Sequence, residues 1–323
     1  MPQPQRKAKA VLLHSGGLDS CLACTALLRA GVEVVVLRHH SIFYPLREGH
    51  GYSPPCEMVT REVSAEMVEL VREPRYGLGK NANPCLDCKQ MMYGKAWEEA
   101  QRQRADFIAT GEVLGQRPMS QNVGAFRRME KGADVWELVV RPLSGRLLPP
   151  TVAEQRGLLS REDMLDFQGR TRKPQMELAA RWGIEDYPTP AGGCKLTDPQ
   201  FARRVFQVRD MGLLSVDTLR AARSGRFFPL DGRAFALVGR NHQDNLRLLQ
   251  DAPPDSTMLE LRDRPGPMAC VVGRPSAEDL EVAKRLVVRY SRFRDLPARE
   301  VRTGTVAEAR AWQLERAEHQ EGP

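Results

Sequence analysis

Apolar runs and amphipathic segments alternate along the first part of the chain. An apolar run over 8–13 is followed by apolar residues at helical spacing over 18–29 and by a second apolar run over 33–37. Continuous runs rich in Val and Leu are typical of parallel strands that are buried on both faces. A strand, a helix and a strand within roughly thirty residues predict a βαβ unit.

The alternation continues toward the middle of the chain. The pattern predicts a further helix over 95–104 and a further buried strand over 106–110. Strands that alternate with helices favour an open sheet wrapped by helices. We therefore expect an α/β fold with a doubly wound, mostly parallel sheet over residues 1–195.

The hydrophobic pattern changes after Cys194. Short apolar runs are now separated by Gly, Pro, Asp and Asn, and a helix is predicted over 278–288. The change indicates a second, smaller α+β domain over 196–305 and a polar, helix-prone tail over 306–323. The apolar runs of this second domain lie at 234–238, 257–261 and 268–272.

The charge distribution bears on the partner. The chain carries 48 Lys and Arg against 41 Asp and Glu, which is a formal net charge of +7 at pH 7. Between residues 201 and 250 there are nine Arg and four Asp but no Lys and no Glu. A basic excess favours a polyanionic partner such as nucleic acid, although Arg-rich codon usage accounts for the composition equally well.

Cysteine usage and the lack of long apolar runs bear on the compartment. The chain has seven Cys, an odd number, and no apolar run long enough for a membrane span or a signal peptide. We therefore expect a cytoplasmic protein with no membrane partner and no disulfide framework. Cys21, Cys24 and Cys270 are expected to pack in cores, and Cys56 is expected to be an incidental loop thiol.

A Gly-rich loop lies between the first predicted strand and the first predicted helix. Two adjacent glycines let the backbone approach an anion closely, and the first amides of the following helix attract phosphate. Serine hydroxyls can donate hydrogen bonds, and Asp19 can hold Mg²⁺ beside the phosphates. The loop therefore predicts an ATP site. Its residues are Ser15, Gly16, Gly17, Leu18, Asp19 and Ser20.

The same loop carries a resemblance to a known superfamily. It lacks the Gly-Lys-Ser/Thr ending of a Walker A sequence, which excludes that class of NTPase. It resembles instead the SGGxDS loop of the PP-loop ATP pyrophosphatases. The resemblance implies a HUP-type fold and cleavage of ATP between the α and β phosphates, with adenylation of a substrate oxygen and release of pyrophosphate.

Further residues are candidates for the nucleotide site. His39 follows the second strand, and Gly111 and Gln116 follow the strand that ends at Thr110. Doubly wound sheets bind ligands at the carboxyl ends of their strands. For His39, an imidazole in a surface loop with no ligand is an equally good interpretation. Arg141 follows another apolar run and is either a cation at the same edge or a partner in a salt bridge.

Three cysteines are candidates for sulfur chemistry and metal binding. Cys85 and Cys88 form a CxxC pair in a loop predicted to precede a helix, and Cys194 follows a Gly-Gly turn. Three thiolates can hold three irons of a [4Fe–4S] cluster and leave the fourth iron open for sulfide. The residues leave two alternatives open, namely structural zinc with a fourth ligand and a persulfide with a resolving thiol.

The surroundings of these cysteines carry a second resemblance. The stretches 83–88 and 105–121 are similar to tRNA thiouridine synthetases of the MnmA and ThiI type. The resemblance implies a tRNA partner and a sulfur donor that is either sulfide or a cysteine desulfurase or carrier. It also implies catalytic roles for Asp19 and the three cysteines. The chain departs from many relatives at Glu112, where they have His.

The second domain contains a Gly239-Arg240-Asn241 turn, a predicted short helix and a strand that ends near Pro265-Gly266. This pattern resembles the NFACT-R domain. The resemblance implies RNA binding, which agrees with the local excess of Arg. The alternative interpretation is an oligomerisation or lid domain, and a homodimer is compatible with the sequence.

These features predict ATP-dependent thiolation of a tRNA uridine. The uracil carbonyl oxygen would attack the α-phosphate, and sulfur from a cluster or a cysteine persulfide would then displace AMP. One alternative is an amide-forming synthetase of the same superfamily, which needs no set of three cysteines. The other is a nucleotide-dependent RNA-binding or sulfur-carrier protein without turnover.

Overall fold

A computed structural model describes residues 7–46, 54–185, 187, 193–231 and 233–320 of the chain. The chain divides into two compact units. The first comprises residues 1–79 and 83–195, and the second comprises residues 80–82 and 196–323. Within the described residues, no helix is both long and apolar enough to cross a membrane.

The first unit is built on a five-stranded sheet in which every neighbouring pair of strands is parallel. The strand order is β3-β2-β1-β4-β5, so the chain winds outward from β1 in both directions. Val11 of the central strand is in register with Val35 on one side and Ile108 on the other. The sheet confirms the predicted α/β fold. Its strands are β1 (Lys9–Leu13), β2 (Glu33–His40), β3 (Glu57–Glu62), β4 (Phe107–Thr110) and β5 (Val139–Val140).

Helices cover both faces of this sheet. Alternate residues of one strand enter different cores: Val34 and Val36 pack with α1 and α6, whereas Val35 and Leu37 pack with α3 and α4. Burial on both faces explains why the strands read as continuous apolar runs. The helices are α1 (Leu18–Arg29), α2 (Ser64–Arg72), α3 (Cys85–Arg102), α4 (Val123–Gly132), α5 (Val152–Gln155) and α6 (Lys173–Arg181).

Helix α3 differs from the sequence prediction. It was expected to begin at Lys95, but it begins at Cys85, so both cysteines of the CxxC pair lie in its first turn and not in a loop before it. Gly94 and the scarcity of buried residues in this part of the helix hide the helical pattern, because only Asp87 and Tyr93 are buried before Ala96. The edge strand β3 was not predicted because its residues are mostly exposed.

The second unit contains a five-stranded antiparallel sheet in the order β10-β8-β9-β7-β6. Helix α10 packs on it through Ala283, Val287 and Val288. The three predicted apolar runs correspond to β7, β8 and β9. The strands are β6 (Arg226–Pro229), β7 (Arg233–Val238), β8 (Thr257–Leu261), β9 (Ala269–Arg274) and β10 (Val301–Gly304). The helices are α7 (Pro199–Asp210), α8 (Val216–Ala221), α9 (His242–Asp251), α10 (Ala277–Tyr290) and α11 (Val306–Gln320).

Candidate active site

The Gly-rich loop lies where the sheet reverses its winding, between the carboxyl end of β1 and the start of α1. Gly17 is the N-cap of α1 and makes no side-chain cap hydrogen bond, so no side chain blocks the first amides of the helix. The Ser20 hydroxyl donates to the Gly17 carbonyl at 2.7 Å. The Ser15 and Ser20 hydroxyl oxygens are 3.4 Å apart. Leu18 is fully buried, so only its backbone can serve a ligand.

Two glycines are required by close contacts around this loop. Gly16 has a φ of +78°, and a Cβ there would lie 2.7 Å from an Arg38 guanidinium nitrogen. A Cβ on Gly111 would lie 2.6 Å from the Asp19 carbonyl oxygen and 2.7 Å from the Ser20 nitrogen. The end of β4 therefore rests directly on the first turn of α1. Arg38 brings a positive charge to the loop, where it can attract phosphate.

Asp19 is the acidic group of the loop. Its Oδ2 atom accepts a hydrogen bond from Gln116 Nε2 at 3.0 Å, so the structure brings two predicted site residues together. Its Oδ1 atom is buried and has no hydrogen-bond partner among the described residues. Burial raises the pKa of Asp19, while Gln116, Arg172 and Arg117 oppose that shift. A buried carboxylate oxygen without a partner fits Mg²⁺, which prefers oxygen ligands beside phosphates.

His14 shapes the loop from the end of β1, a role that sequence reasoning missed. The Gly16 amide donates to its Nδ1 atom at 3.1 Å. Burial and the Arg38 charge lower the pKa of His14 to about 4, so the imidazole is neutral at pH 7 and can accept that bond. A histidine directly before the Gly-rich loop was the available signal.

His39 lies on the opposite face of β2 from Arg38. Burial lowers the pKa of His39 to about 4, and Lys95 and Glu66 are among the charges that act on it. Both ring nitrogens are buried without a hydrogen-bond partner among the described residues. The structure thus places Arg38, and not His39, against the Gly-rich loop. A role for His39 in nucleotide binding stays a prediction.

The three candidate cysteines share one neighbourhood of the first unit. Cys85 is exposed at the start of α3, and the Asn83 amide donates to its Sγ atom at 3.0 Å. Burial raises the pKa of Cys88 to about 12, and the thiols of Cys194 and Cys85 are close enough to raise it further. Burial and the nearby thiols of Cys88 and Cys194 also raise the pKa of Tyr44.

These thiols do not form a metal-binding set as they are placed. Across the described ranges, no group of three or more His, Cys, Asp or Glu side chains is arranged to hold a metal ion. Residues 188–192, which include the first glycine of the Gly-Gly turn before Cys194, lie outside the described residues. The [4Fe–4S] cluster and the zinc site therefore stay predictions, and no chemical step is derived through either.

Glu112 connects the end of β4 to the helix that carries the CxxC pair. It is buried and accepts hydrogen bonds from Lys89 and Tyr93 of α3, and its Oε2 atom lies 3.4 Å from Arg141 Nε. Burial opposes its charge, yet Lys89 and Arg141 lower its pKa to about 2. The network was missed because Glu112 was noted only as a departure from relatives.

Arg141 is the second ion of this buried network. Besides Glu112, it pairs with Glu130 at 2.6 Å and donates to the Tyr93 hydroxyl at 3.0 Å. Of the two roles considered for Arg141, the structure shows the salt bridge. Because Gly111 touches the Gly-rich loop and Glu112 binds α3, one short segment links the predicted nucleotide and cysteine sites.

Three of the remaining cysteines match their predicted environments, whereas Cys56, expected to be an incidental loop thiol, packs against the core of the first unit. Cys21, Cys24 and Cys270 are buried, as expected for core residues. Cys56 is half-buried, and its Sγ atom lies 3.8 Å from that of Cys24.

Both units of the chain match known protein families. Residues 6–146 match the family model described as "Thiamine biosynthesis protein (ThiI)". Residues 225–321 match the model described as "NFACT protein RNA binding domain". The resemblances of the first unit to ThiI-type proteins and of the second to the NFACT-R domain are thereby confirmed.

Curated relatives give the same similarity over a shorter range. A probable tRNA sulfurtransferase of Thermococcus kodakarensis is 29% identical over 151 residues, which is 43% of this chain and 38% of the relative. A tRNA-specific 2-thiouridylase MnmA of Chlorobium luteolum is 27% identical over 168 residues, which is 45% of this chain and 44% of the relative. The chain thus spans less than half the length of these two relatives.

One solved structure, a 4-thiouridine synthetase–RNA complex with bound ATP, is 20% identical to the chain. It aligns over 66% of this chain and 52% of that one with a TM-score of 0.33. Similarity at this level carries no conclusion about function.

Proposed function

We propose that the chain is an ATP-dependent tRNA sulfurtransferase that thiolates a uridine in the cytoplasm. The main observation behind this proposal is that the first unit contains both a PP-loop and three neighbouring cysteines. The PP-loop lies at the point where the strand order of the sheet reverses. The family similarity of residues 6–146 supports the same activity. We further propose domain limits of 1–195, 196–305 and 306–323, with tRNA held by the second domain.

In the first step of the proposed reaction, the uracil carbonyl oxygen attacks the α-phosphorus of ATP. The bond between the α and β phosphates breaks, and pyrophosphate leaves. The uncapped amides of α1, together with Arg38, stabilise negative charge on the phosphates. Asp19 Oδ1 would hold Mg²⁺, which supplies charge neutralisation at the phosphates when it is bound.

In the second step, sulfur replaces the adenylated oxygen. Cys85 is exposed and can receive a sulfane sulfur from the persulfide of a cysteine desulfurase or carrier, whose own thiolate is released. Sulfide itself is not at the oxidation level of a persulfide, so it is a donor only for the cluster form of the site. The terminal sulfur attacks the activated carbon and expels AMP. Cys88 then attacks the Cys85 sulfur, which leaves a thiocarbonyl on the base and a disulfide in the protein. An external dithiol reduces that disulfide before the next turnover.

The high pKa of Cys88 has a role in this order of events. A thiol with a pKa of about 12 is protonated at pH 7 and is a weak nucleophile. It therefore attacks Cys85 slowly, which lengthens the life of the persulfide, and it must lose its proton before the resolving attack. Cys194 is the alternative carrier of the persulfide. A [4Fe–4S] cluster on the three cysteines is the second form that this sulfur site could take, and iron analysis after anaerobic purification tests it.

The test supplies the whole chain with tRNA, ATP, a cysteine desulfurase with free cysteine, and a dithiol reductant, and it measures both pyrophosphate release and thiolated nucleosides by mass spectrometry. Wild type is expected to give both products. Asp19→Asn should lose both, and Cys85→Ala should lose thiolation. Cys56→Ala, a thiol variant outside the site, should behave like wild type. Thiolation retained by Cys85→Ala would move the persulfide to Cys194, whereas pyrophosphate release without thiolation by wild type and Cys85→Ala alike would favour an amide-forming synthetase.

Absence of pyrophosphate release by wild type would favour a binding or carrier protein without turnover. A homodimer is compatible with the proposed activity, and sedimentation measures the oligomeric state directly.

A further inference from the structure

An exposed aromatic ring flanked by two arginines stands at the end of helix α10. Tyr290, the last residue of the helix, is 37% exposed. The Arg226 guanidinium carbon lies 4.6 Å from the centre of its ring, and that of Arg289 lies 5.9 Å away. The Phe228 ring is tilted against it with 5.6 Å between centres. We call Arg226, Phe228, Arg289 and Tyr290, together with the exposed Arg292 and Arg294 that follow Tyr290 closely along the chain, the Tyr290 surface.

The arginines of the Tyr290 surface are not neutralised. Arg289, Arg292 and Arg294 are exposed, and within the described part of the chain neither they nor Arg226 form an ion pair with a carboxylate. Arginines elsewhere in the same unit do form such pairs. These pairs are Arg209–Asp210, Arg220–Asp217, Arg240–Asp244, Arg299–Glu300 and Arg302–Glu260. Other arginines of the unit, among them Arg203, Arg247 and Arg285, likewise form no ion pair within the described residues, so the Tyr290 surface is distinguished by joining unpaired arginines to an exposed ring.

The surface stands on rigid elements. Arg226 and Phe228 belong to β6, which pairs antiparallel with β7, and Arg226 also donates to the Gly239 carbonyl at 3.2 Å. Tyr290 is held by α10, whose buried face packs on the sheet. A ligand would thus meet a ring and a guanidinium that are already in place, which lowers the entropic cost of binding.

An exposed aromatic ring beside unpaired arginines fits one kind of partner. Phosphates are attracted by guanidinium groups, and unpaired bases stack on aromatic rings or on arginine planes. A fully paired RNA stem offers phosphates but no free base face. We propose that the Tyr290 surface binds an unpaired nucleotide of RNA, with the base stacked on the Tyr290–Arg226 pair and the neighbouring phosphates held by Arg289, Arg292 and Arg294.

This proposal rests on the proposed function, because it locates the RNA on the second domain. The experiment measures fluorescence anisotropy of the full-length chain with two labelled RNAs at fixed salt. One is a tRNA transcript with its loops, and the other is a blunt, fully paired duplex with the same number of phosphates. The variants are Tyr290→Leu, Tyr290→Phe and Arg289→Gln. Arg220→Gln is the matched control, since its charge is paired with Asp217.

Loss of the ring should weaken tRNA binding about tenfold and leave duplex binding nearly unchanged. Tyr290→Phe keeps the ring and should bind tRNA like wild type. Arg289→Gln should weaken the binding of both RNAs and reduce the salt dependence of binding by about one phosphate contact. The control should change neither affinity. Unchanged melting temperatures would show that the variants are folded.

Two results would overturn the proposal. If Tyr290→Leu binds tRNA as tightly as wild type, the base does not stack there. If Tyr290→Leu weakens binding of the duplex as much as binding of tRNA, the surface contacts phosphates alone. Neither result affects the proposed function if wild type still thiolates tRNA. Conversely, a wild type that binds RNA at the Tyr290 surface but does not thiolate tRNA would refute only the proposed function.

Discussion

Replacing Glu112 by Gln tests the buried network that joins β4 to α3. The change keeps the size of the side chain but removes its charge, and it leaves Lys89 and Arg141 without their shared carboxylate. Arg141 keeps Glu130, and Lys89 is partly exposed, so part of the loss is relieved. Removing one partner of a buried ion pair costs about 3–5 kcal/mol in general.

The pKa of Glu112 gives an independent magnitude. It falls from the ordinary value of 4.5 to about 2 in the folded protein. At about 1.4 kcal/mol per pKa unit, the charged form adds roughly 3 kcal/mol to the free energy of unfolding at pH 7. Because the folded pKa lies below the unfolded one, this contribution is present above pH 4.5 and is lost as the pH falls toward 2.

The assay is urea unfolding at several pH values, followed by tryptophan fluorescence. Trp97, Trp136 and Trp182 lie in the first unit, so the signal reports mainly on the unit that contains the network. Glu112→Gln should lower the free energy of unfolding by about 3 kcal/mol at pH 7, and its difference from wild type should shrink below pH 4.5. Glu98→Gln is the control, since its exposed pair with Arg102 is worth at most about 1 kcal/mol.

Equal stability of Glu112→Gln and Glu98→Gln at pH 7 would refute the assigned role of the network. A difference from wild type that stays constant down to pH 3 would show that the effect does not come from the Glu112 charge.

Two further predictions concern the glycine contacts and His39. Gly111→Ala should lower the free energy of unfolding by about 1–3 kcal/mol, because its Cβ would collide with the first turn of α1. Gly94→Ala, whose Cβ would meet no atom within 4 Å, should raise it by up to about 1 kcal/mol. Urea unfolding that shows a more stable Gly111→Ala or a less stable Gly94→Ala would contradict these assignments. His39 should stay neutral down to about pH 4 in an NMR titration, so the free energy of unfolding should fall as the pH drops from 6.5 toward 4, and His39→Asn should reduce this pH dependence. A titration midpoint of His39 near pH 6.5 would contradict its burial.

The local pattern was enough to predict the central sheet and the nucleotide loop. Strands buried on both faces must be continuously apolar, and a loop that binds phosphate through its backbone must be rich in Gly within a few residues. Both features are written in short, contiguous segments. Helix α1 was therefore predicted with the bounds that the structure has, Leu18–Arg29. The edge strand β3 left no such signal, because exposed residues need no apolar pattern.

The arrangement of the site was decided by contacts between distant segments. Arg38 lies against Gly16, and Glu112 is bound by Lys89, because the strand order brings separate parts of the chain to one end of the sheet. The sequence by itself determined which groups are available, namely a phosphate-binding loop and three thiols. Only the tertiary structure decided which charges surround them, since side-chain burial and pairing depend on packing across the sheet and not on neighbours along the chain.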